Sequence, residues 1–387
     1  MKKIAKLSLV AAVAVAGLST SLSAKALEEA IKNVDVSGTV VYRYDDRTQE
    51  NDTVLGSNNE SNNSYKIAVN LKSKINDDLT ANTRTVIGAG TTDMAAVGGS
   101  TKASDGEAAF ALTQANFAYT GLANTTIIAG KQAVPSPFAV QADAAGNEDT
   151  GTGITAVYNA GIVTVAGTYL NQTNLEAIEG QDVAGLGLMA NAGPVALDAW
   201  YLNVKEGAAT GAANSEHAAY TIGAKAKIDV VSLYARYSAI SHDFANQDTE
   251  SLWKVGAKAK LGMVGFGVDY GQTNDVDSVL TGASLTGDAD AATSMQGWGL
   301  NLEKKDDASL LKLNVNADVM SGINLSANYN TLKVDSATDE DATEYYGQLT
   351  HKMGKNFMYY VRIGQVDVDN NTDDKGTRGR LHVQYSF

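Results

Sequence analysis

The chain has 387 residues, with 44 acidic against 30 basic side chains for a formal net charge of −14, no cysteine, and only three prolines beside 37 glycines. That acidity argues against a nucleic-acid partner, which needs a basic face, and the missing cysteine excludes both a disulfide framework and a thiolate nucleophile. After the first residues no apolar run approaches the ~20 residues of a spanning helix, so membrane insertion, if it occurs, must use strands.

At the start, Lys2, Lys3 and Lys6 precede a short apolar stretch over 7–18, and Ser21-Leu22-Ser23-Ala24 supplies small residues for cleavage. This is the layout of a secretory signal peptide. Cleavage is expected after Ala24, with Ala26 offering a second small-x-small site, and loss of the three lysines takes the formal charge from −14 to −17. Residues 25–33 then read as a short periplasmic segment, with a helical turn over 27–33.

From residue 34 onward the pattern has a period of two. Val34, Val36, Val40, Tyr42 and Tyr44 alternate with Asp35, Ser37, Thr39 and Arg43. Tyr65, Ile67, Val69 and Leu71 alternate with Lys66, Asn70 and Lys72, and a third segment carries Asn82 and Arg84 on its polar side. Later segments repeat the division, as at Leu325, Ala327 and Tyr329 against Asn324, Ser326 and Asn328. In the last one Leu381, Val383, Tyr385 and Phe387 oppose Arg378, Arg380, His382, Gln384 and Ser386. Such strands present one face to lipid and one to a polar lumen. A slip of one residue in the last strand would put two arginines into hydrocarbon at roughly 2–4 kcal/mol each, so its register is strongly specified. Short turns alternate with long loops, and proline, which removes a ladder donor, is nearly confined to Pro135 and Pro137.

The expected fold is therefore an all-β transmembrane antiparallel β-barrel. Counting by eye gives one segment more than an even ring allows, and the short turns at 320–322 and 353–355 set the direction of the strands around them. Residues 296–303 are accordingly assigned to a long outer loop, leaving about 18 strands. A ring of that size is too wide for side chains to fill. Aromatic residues such as Tyr42, Tyr44, Tyr65, Phe117, Tyr119, Tyr385 and Phe387 suit the interfacial girdles, and the terminal Phe387 is read as the barrel-assembly residue.

The run Leu27-Glu28-Glu29-Ala30-Ile31-Lys32-Asn33-Val34-Asp35-Val36-Ser37-Gly38, continuing to Tyr42-Arg43-Tyr44-Asp45, resembles the mature start of the major outer membrane porin family of Campylobacter and its relatives. Ile128-Ala129-Gly130-Lys131-Gln132 and Gly151-Thr152-Gly153 resemble that family's fifth strand and the far end of its third loop. The resemblance implies an 18-stranded homotrimeric general-diffusion porin whose third outer loop folds inward. This chain departs from the family at Ala26 and at Pro135 and Pro137, so pore size and selectivity are not carried over.

The residues themselves suggest where a constriction would form. Residues 133–150 combine the stiff Pro135-Ser136-Pro137-Phe138 with Asp143, Glu148 and Asp149, while Arg43, Lys66, Arg84, Arg362, Arg378 and Arg380 occupy polar faces of strands that closure makes neighbours. An acidic loop opposite a basic wall sets a transverse field; alternatively the acids are solvated and the arginines pair locally, with Asp35 or one another. The acidic balance and the aspartates at 275–277, 288–290 and 339–341 suggest a weak cation preference at the mouth, or bridging of lipopolysaccharide by divalent ions. The expected partners are thus outer-membrane lipid and lipopolysaccharide together with small hydrophilic solutes and ions. A different reading is a plugged barrel acting as an adhesin through its outer loops.

No cofactor, resident metal or enzymatic activity is expected. His217, His242, His351 and His382 lack metal-ligand spacing. Gly130-Lys131-Gln132 lacks the upstream glycine and the Ser or Thr of a phosphate loop, and the aspartate-rich run at 367–373 has Thr372 and Arg378 where a calcium loop requires Gly and Glu.

Overall fold

The computed structural model describes residues 34–49, 60–88, 94–96, 108–175, 181–205, 216–242, 249–276, 290–303, 305–335, 341–369 and 374–387. The expected signal peptide and the segment 25–33 lie outside them, as do parts of several outer loops. The strands are β1 (Val34–Gln49), β2 (Glu60–Lys74), β3 (Leu79–Gly88), β4 (Ala95–Ala96), β5 (Ala109–Leu122), β6 (Thr125–Ala133), β7 (Thr150–Asn159), β8 (Val163–Thr173), β9 (Gln181–Ala192), β10 (Val195–Lys205), β11 (Glu216–Ile228), β12 (Val231–His242), β13 (Glu250–Leu261), β14 (Val264–Thr273), β15 (Ala308–Met320), β16 (Ile323–Val334), β17 (Asp341–Lys352), β18 (Phe357–Asp369) and β19 (Asp374–Ser386). The two-residue β4 only bridges onto β2. The other eighteen form one closed antiparallel ring, because β1 pairs with β2 on one side and with β19 on the other.

Turns of two to four residues join β2 to β3, β5 to β6 and each later pair up to β17 and β18 at one rim, where both ends of the ring also lie. The longer connections gather at the opposite rim. Residues 296–303 sit in the β14–β15 connection, where a lone bridge between Gln296 and Asn301 makes the strand-like look. With 296–303 in a loop the ring keeps an even number of strands, as the sequence predicts.

Alternation holds across the middle of the wall. Tyr42, Phe117, Ile154, Leu188, Tyr201, Val315, Ile363 and Tyr385 are exposed on the outer side, the position where hydrocarbon accepts them. Towards the loop rim the polarity reverses while the register is kept. In β18 the outward residues become Gln365 and Asp367 while the inward Val366 and Val368 are buried, and in β16 Lys333 faces out between the inward Leu332 and Val334. These ends have a wet exterior, carrying the exposed pairs Lys333–Asp341 at 2.5 Å and Lys375–Asp367 at 3.6 Å. Their inner faces join a buried apolar cluster with Val134, Phe138, Ala139, Met295, Leu300 and Leu302 from two outer loops.

The last residue seals the ring. Phe387 N–H donates to the Gly38 carbonyl at 3.0 Å, Gly38 N–H donates to the Phe387 carbonyl at 2.9 Å, and the Phe387 ring stacks near Tyr385 at 6.0 Å. A Cβ at Gly38 would strike both the Phe387 ring and the Ala68 carbonyl oxygen, so only glycine lets the terminal ring lie across β1. Gly38→Ala should therefore lower barrel stability by about 1–3 kcal/mol through overpacking. Gly167→Ala, where the added carbon meets nothing within 4 Å, should be neutral; the check is the temperature at which the folded band is lost in heat-modifiability gels.

Candidate functional site

All six basic residues singled out from the sequence face inward on contiguous strands: Arg43 on β1, Lys66 on β2, Arg84 on β3, Arg362 on β18, and Arg378 and Arg380 on β19. Their partners divide them into two groups. Lys66 and Arg84 are committed to the loop at 134–149. Lys66, fully buried, donates from Nζ to the Asp143 carbonyl at 2.9 Å, the Gly146 carbonyl at 2.7 Å and the Glu148 carboxylate at 3.1 Å. Arg84 grips the same carboxylate with two nitrogens, Nε to Oε2 at 2.7 Å and Nη2 to Oε1, and uses Nη1 on Asn70 Oδ1 at 2.8 Å. A bulge beside Arg84, where Gln114 and Leu112 oppose successive residues of β3, leaves Thr113 extra in β5, and its hydroxyl caps the Arg84 carbonyl at 3.3 Å. Bulges of this kind re-aim a side chain at a site.

Glu148 is thus a fully buried carboxylate held by two cations. Asp149 turns back into its own loop, where Oδ2 accepts the Val140 N–H at 2.6 Å. Asp143 is half-buried, with Oδ1 accepting the Ala145 N–H at 2.7 Å, and its other oxygen lies beside Gly146 together with the Asp290 carboxylate of a later loop. Of the three acids read from the sequence, then, Glu148 and Asp149 build the loop's shape and Asp143 stands at its surface. The residues that carried the family resemblance form the stems below it. Gly130 pairs with Gly153 and Gln132 with Gly151 across β6 and β7. Gly130 holds φ 123°, and a Cβ there would meet the backbone of Ala115 and Asn116; Gln132 Nε2 donates to the Gly153 carbonyl at 3.1 Å.

The second group lines the wall nearby. Arg380 donates from Nε to Asp45 at 2.5 Å, a local pairing, although with Asp45 and not with Asp35. Arg43 keeps a buried Nε with no partner among the described residues. Arg362 donates to Gln348 Oε1 at 2.8 Å and lies over the rings of Trp298, Tyr346 and Tyr360 at 5.0, 4.9 and 5.3 Å.

Three features were missed in the sequence. Residues 290–303 also pack inside, held by Glu344, whose buried carboxylate accepts the Trp298 N–H at 2.6 Å, the Gly299 N–H at 2.8 Å and Asn330 Nδ2 at 2.6 Å. This loop meets the other where Thr293 N–H donates to the Pro137 carbonyl at 3.2 Å. Across the lumen, β11 to β15 form a second basic wall with Lys225, Lys254, Lys258 and Lys312. The signal for that wall was present, since Lys254, Lys258 and Lys260 alternate with Trp253, Val255, Ala257 and Ala259. The register also sets His217 opposite His242, which sequence separation concealed.

Removing the charge of Glu148 leaves Lys66 buried without a counter-charge. Glu148→Gln should cost the docking of 134–149 about 3–5 kcal/mol, seen as faster proteolytic nicking of that segment in detergent-folded protein, and adding Lys66→Met should restore part of the protection.

The chain matches the family model described as the Campylobacter major outer membrane protein over residues 1–374. No curated protein matches it. Among solved structures, Acinetobacter baumannii OccAB3 superposes with a TM-score of 0.68 at 11% identity, covering 92% of this chain and 99% of that one. A BenF-like porin from Pseudomonas fluorescens Pf-5 gives 0.68 at 12% identity, again over 92% and 99%. Pseudomonas aeruginosa OpdK with vanillate gives 0.62 at 12% identity over 91% and 99%. Identities this low speak for the barrel fold alone, whereas the family match spans nearly the whole chain: the chain belongs to the Campylobacter major outer membrane protein family.

Proposed function

We propose that this outer-membrane barrel is a water-filled channel through which small hydrophilic solutes and ions diffuse passively. The observation that carries the reading is the polar middle of the inner face of an eighteen-strand ring. Asn70, Asn82, Asn116, Asn314, Asn316 and Asn328 lie there with the basic residues of both walls; they bond in part to one another, as Asn82 to Asn116 at 3.1 Å and Asn314 to Asn328 at 2.7 Å, and a water-filled lumen accommodates the polar groups that remain. A plugged adhesin needs no such lining.

In this reading the loop at 134–149 narrows the lumen, with the Glu148–Lys66–Arg84 cluster as its fixed point. The transverse field then runs between Asp143 with Asp290 on the loop side and Arg43, Arg362, Arg378 and Arg380 on the wall. Acids at the mouth, in a mature chain of charge −17, draw cations, and the basic walls keep that preference weak. The subunit assembles as a homotrimer, as the resemblance at 27–45 implies, and its acidic outer loops meet lipopolysaccharide through divalent ions.

The test is the reversal potential of the detergent-folded protein in a planar bilayer under a potassium chloride gradient. Stepwise openings with a modest cation preference are expected. Arg43→Ser with Arg378→Ser should raise the potassium-to-chloride permeability ratio and Asp143→Asn should lower it; a ratio unmoved by either change would remove these residues from the narrow part of the pore.

A further inference from the structure

We propose that the wall formed by β11 to β15 carries a binding site for small multivalent oxyanions of the phosphate type, with Lys225, Lys254, Lys258 and Lys312 as its donors. The site depends on the channel reading for one thing only, the access of the anion through the lumen.

The register brings the four lysines together. On the inner face Lys225 stands opposite Tyr234, Tyr234 opposite Gly256, Gly256 opposite Asp269 and Asp269 opposite Lys312, while Lys254 and Lys258 flank Gly256 along β13. All four lysines line a cavity of about 620 Å³, roofed by Ala292 of the inward-packed loop. Lys258 and Lys312 also line the adjoining one of about 500 Å³, with Asn314, Asn328 and Asn330 on its far side. The acid within this lining is Asp269. Arg236, which shares the larger cavity, is taken up by Asp198, whose two carboxylate oxygens both accept from Nη2 at 2.8 and 2.9 Å. Lysines therefore outnumber carboxylates at the cavity by a clear excess.

Two of the lysines are fixed and two are available. Lys254 Nζ donates to the Ser294 carbonyl and Lys312 Nζ to the Gln296 carbonyl at 2.5 Å, which holds both stems against the loop and leaves each ammonium with further N–H groups. Among the described residues Lys225 and Lys258 make no hydrogen bond or ion pair. Like charges gathered in a part-enclosed cavity repel, and an anion that touches several of them at once relieves the repulsion. A single chloride neutralises one ammonium and gains little. Lysine is a compact charge on a flexible stem, so this set suits a tetrahedral, multiply charged oxyanion better than the flat two-pronged contact at which arginine excels.

Pyrophosphate is the probe. Calorimetric titration of the detergent-folded wild type at constant ionic strength should show one site per chain, and Lys225→Gln with Lys258→Gln should weaken it about tenfold or more. Lys375→Gln, on the outward face, should leave it unchanged. In the bilayer the same anion should interrupt single-channel current in the wild type and far less in the double variant. Equal affinity in the wild type and the double variant, or no binding beyond that of sulfate-free chloride buffer, would overturn the site. Binding without a channel would instead overturn the diffusion reading and leave the site standing; a conducting channel without binding would do the reverse.

Discussion

Backbone groups in hydrocarbon must be paired within the protein, and strands can achieve this only by closing. That constraint sets the last strand against the first, and with both ends of the ring at one rim the number of antiparallel strands is even. The closing seam runs from Thr39 opposite Ser386 to Gln49 opposite Gly376, and Phe387 clasps Gly38 beyond it. Closure further makes neighbours of residues more than three hundred positions apart, so Arg380 reaches Asp45 and the basic wall becomes continuous.

A ring this wide leaves its interior to be furnished, and the chain does so differently at different heights. At mid-wall the inner face is polar and basic. Near the loop rim it turns apolar, with Leu170, Leu202, Leu252, Leu310 and Leu332 covering Phe138, Met295, Leu300 and Leu302. Hydrophobic burial thus holds the two inward-packed loops from above, and one buried carboxylate fixes each in place: Glu148 by pairing with side-chain cations, Glu344 by accepting backbone N–H groups. Buried charges of this kind are expensive unless fully satisfied, and both are satisfied by several donors.

Much of this was legible in the residues. A period of two fixes the face on which Arg43, Lys66, Arg84, Arg362, Arg378 and Arg380 lie, and closure of the ring brings their strands together, so the wall follows from the residues alone. The role of Glu148 could not, because a loop has no period and nothing local distinguishes a carboxylate that pairs with Lys66 from one that faces water. Asp149 and Asp143 differ for the same reason. The lysines of β13 stand on the same period of two as the arginines of β19, but on strands that closure does not bring to the seam. Glu344 follows Thr343 and precedes Tyr345 in a strand that reads as an ordinary alternating segment; its use appears only when 296–303 is placed as a loop beneath it.

The central claim is an open, polar lumen narrowed by loops. Liposome swelling measures this directly, using purified, heat-modifiable protein in vesicles challenged with uncharged sugars of increasing size. Rapid swelling with monosaccharides that falls steeply for larger oligosaccharides is the predicted result. Vesicles that contain correctly folded barrel yet fail to swell with the smallest sugar would contradict it.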